Sequence, residues 1–117
     1  MSDSVSMGIS LSALDVYSKN LDVIANNIAN ANTDGFKRQE GTPVESRPAG
    51  VELAIRRDTS PGAPTVGNDG QPARESSNVS LTDEMVGLIT NQQAYDANMK
   101  ALKTAFEMSG RIVDLLE

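Results

Sequence analysis

The chain has 117 residues, 38% of them apolar and 3% aromatic, with a net charge of −6 and neither cysteine nor histidine. The length fits one small domain, and with Tyr17, Phe36, Tyr95 and Phe106 as the only aromatics, it predicts a thin, elongated core completed by partner subunits. The missing residue types exclude disulfides, thiol nucleophiles, thiolate or imidazole metal sites and histidine acid–base catalysis.

Acids and bases are spread evenly: four and three in residues 1–38, six and four in 39–78, six and three in 79–117. No basic block exists to hold nucleic acid or an anionic membrane, so neither is expected as a partner. The apolar runs are only a few residues long, too short to span a bilayer. Met1-Ser2-Asp3-Ser4 lacks the basic and apolar regions of a secretory signal, so any export is expected to proceed without a cleaved signal.

The first predicted element is a helix from about Val5 to Ala31, a stretch without proline. Met7, Leu14, Leu21 and Ile28 recur every seven residues, with Ser10, Tyr17, Ile24 and Ala31 three residues after each. Alternating three- and four-residue spacing lines a narrow apolar seam like that of a coiled coil. Asn32-Thr33-Asp34-Gly35 stops the helix, since Asn and Asp tolerate left-handed turns and Gly35 adopts them without steric cost. Phe36 follows the turn, where it either covers the end of the helix pair or anchors the chain against a neighbour.

Four asparagines, Asn26, Asn27, Asn30 and Asn32, crowd the end of this helix. Asparagine is a mediocre helix former because its amide competes for backbone hydrogen bonds. One reading is a helix end drifting into a turn. The other is a polar, tightly packed subunit contact, with small alanines allowing close approach and Gln92, Gln93 and Asn98 supplying matching amides.

The next segment, 39–78, holds all five prolines and reads as an irregular insert. Val51 to Arg56 alternates apolar and polar residues as a half-buried strand does, and Val44 to Ser46 pairs with it across a turn at Arg47-Pro48-Ala49-Gly50. Ser60-Pro61-Gly62-Ala63-Pro64 and Asn68-Asp69-Gly70 read as turns.

The last segment, 79–117, predicts a second helix from about Leu81. Thr82 is the expected cap, Asp83 and Glu84 favour the positive helix end, and Leu81 is expected to staple onto Val86. Met85, Gln92, Met99, Phe106 and Val113 form one seam position and Leu88, Tyr95, Leu102, Ser109 and Leu116 the other. Gln92 is a polar residue within that seam, a device that fixes register. The fold class that results is mainly α: a long antiparallel, coiled-coil-like helix pair with a small extended or β insert, one structural domain in three segments.

Catalysis finds no support. Asp83-Glu84 is explained by the helix start, and Glu40, Glu45 and Glu52 by balance with Arg47, Arg56 and Arg57. No glycine-rich phosphate loop and no calcium-loop spacing occurs, so no cofactor, metal or small-molecule substrate is expected.

Leu11-Ser12-Ala13-Leu14-Asp15, followed by Asn26 through Arg38, resembles the N-terminal signature of the bacterial flagellar rod and hook family. Glu75 to Leu81, Glu84-Met85-Val86, Ala94 to Asn98 and Ala101 to Ala105 resemble its C-terminal signature. Together the two cover about two-thirds of the chain, in the right order. The resemblance implies a structural subunit that pairs its terminal helices and assembles with copies of itself and other rod or hook subunits. It further implies delivery through the flagellar type III export apparatus, a basal-body rod location and a role in motility. The short insert is most like that of a proximal rod protein, whereas Glu75 to Val79 is closer to distal rod and hook sequences. Packing and assembly are expected at Leu14, Tyr17, Leu21, Ile24, Asn26, Asn27, Ile28, Asn30, Asn32, Gly35 and Phe36. On the second helix they are expected at Met85, Leu88, Gln92, Tyr95, Asn98, Met99, Leu102 and Phe106. A soluble coiled-coil adaptor or export regulator is the alternative reading.

Overall fold

A computed structural model describes residues 2–65 and 74–116. Helix α1 spans Ser2–Ala29, strands β1 and β2 span Gln39–Glu45 and Val51–Arg57, the two-residue strands β3 and β4 span Pro64–Thr65 and Arg74–Glu75, and helix α2 spans Leu81–Leu116. The predicted Asn68-Asp69-Gly70 turn lies outside the described residues, as do the side chains of Val113 and Leu116. The molecule measures 81 × 24 × 13 Å, with a radius of gyration of 20.5 Å. A compact chain of this length would have a radius of about 13 Å.

The helices run antiparallel. Asn20 meets Asn91 and Ile24 lies against Gly87 one turn away, in opposite chain directions. With 28 and 36 residues they are about 42 and 54 Å long. β1 and β2 form an antiparallel hairpin with Gln39 opposite Arg57 and Glu45 opposite Val51. This hairpin is the expected strand pair, with β1 extended back to Gln39. It packs on α1, which therefore has α2 on one side and the hairpin on another. Gly50 closes the hairpin with a φ of 105°, and Gly35 ends the turn after α1 with a φ of 72°, both open only to residues without a Cβ penalty.

Two details of the α2 start differ from the sequence reading. Ser80, not Thr82, is the cap: its carbonyl accepts from the Glu84 amide at 3.0 Å and its hydroxyl from the Asp83 amide at 3.4 Å. The helix thus begins at Leu81, one residue before the expected cap. Leu81 and Val86 are both exposed, so no staple closes over them.

The register of the α2 seam also differs. Glu84, Asn91 and Leu102 are buried, and Gly87, Ala94, Tyr95, Asn98 and Ala105 are half-buried. The expected position of Met85, Gln92, Met99 and Phe106 is one residue away and points out: Met85 is 59% exposed, Met99 45% and Phe106 60%. Leu88 lies at the exposed margin, whereas Tyr95 and Leu102 do face α1. The physical reason is the polar ties described below, which rotate Asn91 inward and carry the large apolar residues to the flank. On α1 the expected stripe of Leu14, Tyr17, Leu21, Ile24 and Ile28 is at least half-buried. A second stripe, Ala13, Val16, Asn20, Val23 and Asn27, is covered as well, because the hairpin lies over it.

Candidate functional site

Among the described residues only six apolar side chains are buried: Ala13, Leu14, Val16, Val23, Ile24 and Leu102. So small a core leaves the subunit's internal order to hydrogen bonds, and asparagines provide them. Asn27 is 1% exposed and lies edge-on to β1. Its Nδ2 donates to the Gln39 carbonyl at 2.7 Å, and its Oδ1 accepts from the Gln39 amide at 3.0 Å. The side chain thus satisfies an edge-strand residue as another strand would. Asn91 does the same between the helices: its Nδ2 donates to the Tyr17 carbonyl at 2.7 Å and its Oδ1 accepts from Asn20 at 3.1 Å. Asn78 fastens the insert, accepting from the Arg38 amide and donating to the carbonyls of Asp58 and Ser60.

A charged clasp lies beside these ties. Arg38 reaches the buried Glu84 at 3.4 Å, Asp58 at 3.5 Å and Glu40 at 3.8 Å. The Arg56 guanidinium, hydrogen-bonded to Glu40 at 2.8 Å, and the nearby Arg38 hold the Glu40 carboxyl below its ordinary 4.5. Glu75 is held low in the same way, by Lys37 and by the Gly62 amide. Gly62 is packed so closely on the Ser76 carbonyl that a Cβ there would collide with it.

The asparagine-rich segment therefore divides. Asn27 makes the polar contact, but to the chain's own insert. Asn30 bonds locally, to the Asn26 carbonyl at 2.9 Å and to Thr33, as a helix end turning over. Asn26 and Asn32 are exposed and Phe36 is half-buried. Gln92 and Gln93 are exposed, and Asn98 donates to the Ala94 carbonyl of its own helix. Sequence reasoning missed Asn20 and Asn91. The signal was present: Ala13, Asn20 and Asn27, like Glu84, Asn91 and Asn98, recur every seven residues.

Residues 7–37, covering most of α1 and its turn, match the family described as flagella basal body rod protein. Residues 71–115, covering most of α2, match the flagellar basal body rod FlgEFG protein C-terminal family. The chain belongs to the flagellar basal-body rod and hook family. A curated relative, the flagellar basal-body rod protein FlgG of Borreliella burgdorferi, is 44% identical over 50 residues, which make up 43% of this chain and 19% of that protein. The chain thus matches only about a fifth of that relative's length. The matched families are named for a structural part, not for an enzyme.

The two family segments are the two helices that pair, and the asparagines and the Arg38 clasp that order this chain fall within or between them. The surface left over is an outward one. Met85, Leu88, Gln92, Met99 and Phe106 follow one flank of α2 at heptad spacing, all exposed among the described residues. Among the described residues no group of acids is placed to hold a metal ion, and no helix is long and apolar enough to cross a membrane.

Proposed function

We propose that this chain is a structural subunit of the bacterial flagellar basal-body rod, assembling through its terminal helices with copies of itself and with other rod or hook subunits. The observation that carries this reading is the heptad row Met85, Leu88, Gln92, Met99 and Phe106, exposed on a helix of the family's C-terminal segment. Large apolar residues at that spacing form a seam for another helix, and a chain with so thin a core gains stability from such a neighbour by mass action.

In this reading the subunit transmits torque. Interlocked helices with contacts along their length resist twist better than a single point of attachment, and the Asn27 and Asn91 ties keep each subunit's own parts from sliding. The subunit travels to the basal body in the periplasmic space through the flagellar type III export apparatus. The short insert supports the reading of a proximal-type member, whereas the C-terminal match to the FlgEFG family favours the distal rod or hook type. Deleting the gene and restoring it with either the full chain or one lacking residues 82–117 tests the proposal: only the full chain should restore basal bodies with a complete rod. Complete rods in the deletion strain would refute it.

A further inference from the structure

The exposed flank of α2 carries charge in a pattern that the outer face of α1 answers. Lys103, Glu107 and Arg111 follow one another at four-residue spacing on α2, all exposed. Asp15, Lys19 and Asp22 occupy the outer face of α1, likewise exposed. Asp15 and Lys19 pair with each other at 2.8 Å, while Lys103, Glu107 and Asp22 form no ion pair among the described residues. The two faces cannot meet within one chain, because the helices already pack through their other sides.

We propose that α2 of one copy docks its outer flank on the outer face of α1 of a second copy, antiparallel, with Lys103 against Asp22, Glu107 against Lys19 and Arg111 against Asp15. This rests on the rod reading above. Shapes agree with charges in that register. Phe106 and Met99 are large knobs, and they come over Ser18 and over Ala25 and Ala29, the small residues of the α1 face. The orientation follows from polarity. Within a subunit α1 and α2 are antiparallel, so an α2 lying antiparallel to a neighbour's α1 makes both subunits point the same way. The contact uses two different surfaces, so it can repeat from copy to copy in a ring or an open-ended array. The parallel arrangement would also match the charges, but it turns each neighbour to point the opposite way.

The chain has no cysteine, so introduced ones report cleanly. Two versions of the full chain, one with Asn26→Cys and the other with Met99→Cys, are expressed together in cells lacking the native gene, and basal bodies are isolated and oxidised with copper-phenanthroline. In the proposed register these positions oppose each other, so a disulfide-linked dimer at twice 12.4 kDa is expected, and neither version alone should give it. A second pair, Leu11→Cys with Met99→Cys, opposes only in the parallel arrangement; a dimer from that pair overturns the proposal. Swimming cells whose basal bodies contain both versions, but without the 26–99 link, overturn the proposal and leave the rod reading intact. A link to a different protein also overturns it. Absence of the chain from basal bodies that are otherwise complete refutes the rod reading itself and the contact with it. As a second readout, Asp15→Lys with Asp22→Lys should abolish swimming, and adding Lys103→Glu with Arg111→Glu should restore it. Swimming unchanged by the α1 pair, or not recovered by the α2 pair, contradicts the charge register.

Discussion

Replacing Asn27 by alanine isolates the tie between α1 and β1. The variant removes two hydrogen bonds, at 2.7 and 3.0 Å, and strands the Gln39 amide and carbonyl. Each lost bond is worth about 1 kcal/mol net, and an unsatisfied buried group costs about 1–3 kcal/mol more. Gln39 is only half-buried, so water recovers part of that second cost. The expected loss is about 2–3 kcal/mol, a large share of the roughly 5 kcal/mol that small domains possess. Urea unfolding of the purified full chain, followed by far-UV circular dichroism, measures it. Asn26→Ala, one residue along and exposed, is the control and should stay within about 0.5 kcal/mol of the parent. An Asn27→Ala midpoint indistinguishable from that of Asn26→Ala would refute the idea that this amide orders the insert. Asn27→Asp sharpens the test. Its carboxylate would still accept from the Gln39 amide but would face the Gln39 carbonyl, so the folded state favours the protonated acid. That raises the folded pKa above the unfolded one, and the variant should regain stability as pH falls from 7 towards 4.

Other outcomes follow from the same geometry. Asn91→Ala should cost about 2–3 kcal/mol in the same urea assay, because the Tyr17 carbonyl and Asn20 both lose their partner between the helices. Arg38→Ala leaves the buried Glu84 without a counter-charge and should cost about 3 kcal/mol, with Glu84→Gln in the same chain recovering part of it. Gly62→Ala should loosen the loop against Ser76, seen as faster amide exchange at Gly35 and Ser76, with little change in α1. The folded pKa values of Glu40 and Glu75 are depressed, so their contributions are fully present above the ordinary 4.5 and are lost as pH falls through the lower folded values. Amide exchange in the hairpin and around residues 58–63 should therefore accelerate below about pH 4.5 before the helices respond.

The helix pair and the hairpin were legible in the sequence because their signals are local: a proline-free heptad run, clustered prolines, and alternation from Val51 to Arg56. The face that α2 turns inward was legible only in part. Apolarity alone selects Met85, Gln92, Met99 and Phe106 as a seam, and three of the four are large and apolar. The expected Tyr95 and Leu102 do face α1, but beside them the chain buries Glu84 and Asn91, since the amide of Asn91 finds two partners on α1 and Glu84 finds Arg38. Side-chain amides that bridge elements distant in sequence cannot be paired from spacing alone. Asn27 illustrates the point: the asparagine-rich segment was recognisable as unusual, but its partner, Gln39, became identifiable only once β1 lay alongside α1. The row of Met85, Met99 and Phe106 was still informative, because it is one of the apolar parts of α2, with Val86, Ile89 and Met108, that the subunit leaves exposed.

The most direct test of the central claim is electron microscopy of basal bodies purified from a strain lacking this gene, with swimming scored on the same cells. The account predicts a missing or truncated rod and loss of swimming, both restored by the full chain but not by versions lacking residues 1–31 or 82–117. Complete basal bodies and normal swimming would contradict it and would favour a soluble adaptor that forms a finite complex.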